Sequence, residues 1–159
     1  MTVIRYNIAD YMNVGTTESP EWALMGFGYN SLDENPSATV DSKAYISDKS
    51  ATGTITGYAN NFAFDTDLIE SDDTIEKLYE IGTRQATGAD AQVEYLRVEL
   101  FKAAEGGGKP ARLFTTAVEV SSISGAGTET VHVSGNLHQV GDFKEGTFDP
   151  TGKTFTPAE

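Results

Sequence analysis

The sequence predicts a mainly β fold with a single helix, and three observations lead there. Apolar residues come in short bursts set among abundant Gly, Ser and Thr, the pattern of strands and turns. Two central runs, QVEYLRVELFK and ARLFTTAVEVSS, alternate along their length and are joined by a glycine-rich connection. One segment, SDDTIEKLYEIGTRQATG, breaks that rhythm with apolar residues three and four apart.

Strands are expected at Trp22–Gly28, Val40–Ser47, Thr52–Phe64, Gln92–Lys102, Ala111–Ser122 and Thr130–Val140. In the fourth, Val93, Tyr95, Arg97, Glu99 and Phe101 share one face; Glu94, Leu96, Val98 and Leu100 share the other, which reads as core. In the fifth, Phe114, Thr116, Val118 and Val120 form the inward row. The link AEGGGKP turns on Gly106–Gly108, and Pro110 restrains re-entry, so the two strands form an antiparallel hairpin. The helix is expected over Ser71–Gln85, capped by Ser71, with Asp72 and Asp73 favoured by the dipole. Ile75, Leu78, Tyr79 and Gly82 make its buried stripe, and Asp73–Lys77 and Glu80–Arg84 make supporting pairs. The final GTFDPTGKTFTPAE reads as a small hairpin with Phe148 and Phe155 on either side.

A chain of 159 residues suits one domain over 1–159. It has no Cys, which excludes disulfides, thiolate metal sites and cysteine nucleophiles. No apolar run reaches a bilayer span, so no membrane role is expected, and the opening residues do not read as a secretory signal. Formal net charge is −13, with 24 acidic and 11 basic residues, which argues against tight binding to phosphate backbones. Such a surface suits solubility, and also a wall that lets DNA pass without sticking.

No catalytic, cofactor or metal site emerges. His132 and His138 sit in one polar strand row with no nucleophile motif beside them. Asp65 to Glu80 holds seven carboxylates and one Lys, but not at the spacing of a calcium loop, and reads as a solvated helix approach. GFGYN and GGGKP lack the following helix and Ser/Thr partner of a phosphate cradle. What remains is an excess of aromatics before residue 65: Trp22, Phe27, Tyr29, Tyr45, Tyr58, Phe62 and Phe64. Half suit a core; the rest suit subunit contacts.

The runs WALMGFGYNSLDENPSA (Trp22–Ala38), SKAYISDKSATGTITGY (Ser42–Tyr58), FAFDTDLI (Phe62–Ile69) and IEKLYEIGTRQATGADAQVEYLRVELF (Ile75–Phe101) occur in an order that resembles the major tail tube protein of long-tailed bacteriophages infecting Gram-positive bacteria. The resemblance spans roughly residues 17–100 and continues more loosely. It implies a β-sandwich or barrel-like core with one flanking helix, and rings, usually hexameric, stacked into a hollow tube. It implies a virion tail location after assembly in the host cytoplasm. The implied partners are the tape measure protein, tail terminator and distal tail proteins, and passing double-stranded DNA without specific binding. By position, residues 31–57 match a long arm reaching a neighbouring ring, with SLDENP as the bend out of the core. Tyr45, Ile46, Val40 and Ile55 are its contact candidates, and Glu99 and Glu119 are candidates for lumen charge. A contractile or domesticated tail particle is an alternative of the same class. A carbohydrate-binding β-sandwich, stacking sugars on Trp22 and Tyr rings, is the alternative from another class.

Overall fold

The computed structural model describes residues 2–158. Ten strands and one helix follow in the order β1 Ile8–Asn13, β2 Trp22–Leu24, β3 Tyr29–Asn35, β4 Ala38–Lys43, β5 Thr52–Tyr58, β6 Asn61–Asp67, α1 Asp73–Thr83, β7 Gln92–Glu99, β8 Lys109–Ser124, β9 His132–Asp149 and β10 Thr154–Pro157. Eight of the strands form one sheet in the order β2-β1-β7-β8-β9-β6-β3, with β10 paired to β9. Strands β4 and β5 form a separate hairpin. All pairings are antiparallel. The large sheet curls into a half-barrel flanked by the helix. Near its two ends, Arg5, just before β1, donates to the Leu32 carbonyl of β3 at 3.1 Å.

Strand β7 corrects the expectation that one of its faces is core and the other exposed. It lies between β1 and β8, and both faces are buried. Val93 and Tyr95 enter a cluster with Met12, Phe62, Phe64, Leu78, Phe114 and Leu137. Leu96 and Val98 enter a second cluster on the opposite face, with Tyr11, Trp22, Ala111 and Phe148. Alternation cannot mark an exposed face on a strand that has none. The inward row of β8 is as expected: Phe114, Thr116 and Val118 are buried and Val120 partly so.

The first cluster contains a charged network. Asp10, with a side chain 1% exposed, accepts from the Tyr95 hydroxyl and from Arg5 at 2.7 Å, and lies 3.7 Å from Arg97. Burial, then the Asp10 charge, pushes the Tyr95 hydroxyl well above its ordinary pKa, so it stays a donor.

The helix spans Asp73–Thr83, two residues shorter at each end than expected, and its cap lies one residue later. Asp72, not Ser71, caps it, accepting from the amides of Thr74 and Ile75 at 3.0 and 3.2 Å, which stabilises the first turn by about 1 kcal/mol. Ile75 and Leu78 are buried, as the spacing requires. Gly82 belongs to the same stripe for a steric reason: a Cβ there would lie 2.8 Å from Cβ of Val120. Glu80 pairs with Arg84 at 2.6 Å, whereas Lys77 turns from Asp73 to the Asn13 carbonyl at 3.1 Å. Strand β1 has no counterpart among the expected strands. The final hairpin forms as expected, with Phe155 opposite Phe148.

Candidate functional site

The long strands β8 and β9 serve two halves of the sheet. Along β8, Ala111 and Leu113 face the second apolar cluster; further along the same face come Thr115, Ala117 and Glu119. Beyond β7's reach, residues of β8 up to Ser124 continue with β9, β6 and β3 as a four-stranded unit. Its inner face carries Leu32, Phe62, Phe64, Val118, Val133 and Leu137, all buried.

Its outer face is mostly polar, with Ala63 and Ala117 its apolar members. Register places Asp33 and Ala63 beside Asn136 and Glu119, Asp65 beside Ser134, and Asp67 beside His132. The stretch contains no Lys or Arg in Tyr29–Asn35, Asn61–Asp67, His132–His138 or Thr115–Ser124. Four carboxylates therefore share this face with two histidines. Glu119 is held by Asn136 at 2.9 Å, Ser121 at 2.8 Å and His138 at 3.2 Å. Those bonds, Asn136's foremost, hold its carboxyl below the usual range and keep it ionised. His132 Nδ1 lies 3.0 Å from Asp67, at ion-pair distance though not aligned as a hydrogen bond. Gly135, opposite Val120, accommodates the bulge at Ser121, because a Cβ there would strike the Glu119 carbonyl.

This unit has an unpaired strand at each border: β3 on one side, and β8 beyond its pairing with β7 on the other. Of the lumen charge candidates, Glu119 lies on the polar face. Glu99 lies on the opposite face of the sheet, at the end of β7, and pairs with Lys102 at 2.6 Å. The carboxylates that do join Glu119 include Asp65 and Asp67, which the sequence reading assigns to a solvated helix approach. The signal for them was the alternation of NFAFDTD, with Phe62, Phe64 and Thr66 opposed to Asn61, Ala63, Asp65 and Asp67.

The second surface is the β4–β5 hairpin. Ser31–Asn35 is not a bend out of the core but most of β3, paired to β6; the projecting part is Ala38–Tyr58. Every residue of β4 and all of β5 except Gly57 is exposed. Val40 and Ile55 stand opposite each other across the strands. At the tip, Asp48 accepts from the Tyr45 amide at 2.7 Å and Lys43 lies over the Tyr45 ring, while Ile46 is wholly exposed. All four contact candidates are thus brought onto one element, and all four are exposed.

Other chemistry finds little footing. Trp22 is 6% exposed, packed in the second cluster, and cannot stack on a sugar. Among the described residues no group of three or more His, Asp or Glu is placed to hold a metal ion. The cleft at the hairpin base, about 680 Å³, is lined by Pro36, Tyr58, Arg112 and Phe143; Arg112 is engaged by both oxygens of Glu34 at 2.6 and 3.0 Å.

No protein-family model matches the chain, and no curated protein does. Solved structures do. The chain is similar to the SPP1 tail tube determined by solid-state NMR and cryo-EM, with TM-score 0.67 and 11% identity over 91% of this chain and 78% of that one. It is similar to a subunit from the tail of an empty GTA particle refined with C6 symmetry, with TM-score 0.60 and 10% identity over 89% and 97%. It is also similar to a chain of the anti-feeding prophage baseplate, with TM-score 0.51 and 6% identity over 91% and 95%. The curled half-barrel with one flanking helix is a tail-tube-like fold, one that these tail components share.

Proposed function

We propose that this chain is a structural subunit that closes into rings, usually hexameric, and stacks into a hollow phage tail tube through which DNA passes. The observation that carries this reading is the four-stranded unit whose outer face has no Lys or Arg and whose two border strands lack a strand partner at their outer edges. An unpaired strand edge seeks another strand. Four antiparallel strands are an even number, so a rotation about a ring axis sets β8 of one copy antiparallel to β3 of the next. Repeated around the ring, this makes a continuous barrel whose lining is the acidic face of Asp33, Asp65, Asp67 and Glu119. Like charge keeps the DNA backbone from adhering during passage.

The hairpin supplies stacking. A two-stranded hairpin alone is marginal in water, and Val40, Ile55, Tyr45 and Ile46, exposed in the single chain, would gain burial against another ring. On this reading the chain works in a virion tail assembled in the bacterial host cytoplasm. Its neighbours are further copies, a tape measure protein in the lumen, and tail terminator and distal tail proteins at the ends. The baseplate likeness supports a second reading of the same class, a tube-like component of a contractile or domesticated tail particle.

Replacing residues 38–58 by a short Gly/Ser link tests the stacking role. Circular dichroism should show the native sheet retained, and electron microscopy should show rings without tubes. Loss of folding, or normal tubes, overturns the assignment of the hairpin.

A further inference from the structure

The segment just before β1 is pinned by one side chain. Arg5, half exposed, donates to the Ile8 carbonyl at 2.7 Å, to Asp10 at 2.7 Å and to the Leu32 carbonyl at 3.1 Å. Its apolar neighbours turn outward: Ile4 is 55% exposed and Tyr6 74%. Val3 and Phe101 are exposed beside them, Phe101 following the Leu100 whose amide bonds the Asn7 carbonyl at 2.8 Å. A guanidinium with three anchors fixes this short turn, so exposure of its apolar residues is enforced rather than incidental.

The position of the turn says what it meets. It is tied to β3, one border of the polar-faced unit, through the Leu32 backbone carbonyl, and to the side chain of Asp10, which shares the Tyr95 and Arg97 side of the sheet, opposite the polar face. At the other border, Ile123 is 41% exposed. It stands opposite the buried Val133, so it too belongs to the side away from the polar face. Leu32 is level with Phe64, Gly135 and Val120 across the unit, and Ile123, beyond the bulge at Ser121, pairs with Val133, two residues from Gly135 on β9. That is about 7 Å along a strand, within the stagger that tilted strands of a closed barrel adopt.

We infer that Ile4 and Tyr6 form a second, apolar layer of the seam between ring neighbours, packing behind the β3 edge against Ile123 of the adjacent copy. The inference rests on the ring reading above and adds a contact to it. Strand pairing gives affinity without register; an apolar anchor behind it selects one register out of several.

The chain has no native cysteine, so single cysteines report cleanly. Tyr6→Cys and Ile123→Cys variants are prepared separately, and each is exposed to a maleimide reagent as free subunit and as sedimented assembly. Both should label as free subunits and lose labelling in the assembly. Mixing the two variants before assembly and oxidising should give a covalent dimer that neither variant gives alone. Assemblies in which Tyr6→Cys labels as readily as in the free subunit overturn the seam contact and leave the ring reading standing. So do protected cysteines that never cross-link. A wild-type chain that stays monomeric at every concentration overturns the ring reading and the seam with it.

Discussion

Strand β7 and the β4–β5 hairpin are both regular antiparallel β structure, yet they stand at opposite extremes of burial. Val93, Tyr95, Leu96 and Val98 of β7 are all nearly inaccessible, and even its Arg97 is buried. In the hairpin, Val40, Tyr45, Ile46 and Ile55 are all open to solvent. Backbone pairing is the same in both; side-chain burial is not. One strand is ordered by the fold of its own chain, and the other leaves its apolar residues open to solvent. The difference separates residues that specify folding from residues that, on the function proposed above, serve assembly.

The comparison is broken most sharply at Phe62. Its ring is fully buried, 4.6 Å from that of Tyr95 and 4.9 Å from that of Phe114. Phe62→Ala should cost about 3–5 kcal/mol in denaturant unfolding. The pair Val40→Ala and Ile55→Ala should change folding stability by no more than about 0.5 kcal/mol, while reducing tube formation seen by electron microscopy. Equal losses of stability from both would erase the distinction.

Asp10 sharpens it for charged residues. Asp10→Ala removes the carboxylate facing Tyr95, Arg5 and Arg97, and leaves Arg97 buried without its anion. The expected loss is about 3 kcal/mol, against about 0.5 kcal/mol or less for Asp41→Ala on the exposed hairpin. Thermal unfolding of both variants side by side measures the contrast.

The smallest effect is expected at Glu119, on the exposed polar face. Its folded-state pKa is lowered from the ordinary value of 4.5, first by Asn136 and then by Ser121 and His138. Ionised Glu119 therefore adds a little stability above the ordinary carboxylate range, and that increment disappears as pH falls through the lowered value. Carboxyl-detected NMR titration should place Glu119 below the ordinary value, and Asn136→Ala should move it upward. A Glu119 that titrates at 4.5 in the native chain contradicts the hydrogen-bond geometry.

Much of this architecture follows from local pattern. The helix was legible because Ile75 and Leu78 recur at helical spacing behind acidic capping residues, although Asp72 rather than Ser71 makes the cap bonds. The β7–β8 hairpin was legible from alternation around a glycine-rich link, and the final hairpin from aromatics flanking a Pro-Thr-Gly turn. Tyr45, Ile46, Val40 and Ile55 were legible as residues with too little local surface to cover them. Strand β1 was not, because Ile8–Asn13 mixes Asp10 and Asn13 with apolar residues, and only the network around Tyr95 and Arg97 shows why an aspartate belongs there.

The sequence by itself determined the class, the single helix, the acidic balance and the aromatic excess, since each depends on composition or on neighbours along the chain. Tertiary structure alone decided which alternating rows became core and which became surface. Leu113 and Glu119 share one face of one strand, yet the first packs in an apolar cluster and the second lies on an acidic wall. The same holds for Glu99 and Glu119, alike in sequence and opposed across the sheet. The physical reason is that alternation has a period of two and carries no label for which face is inside. That label comes only from the curl of the sheet and from what lies across it.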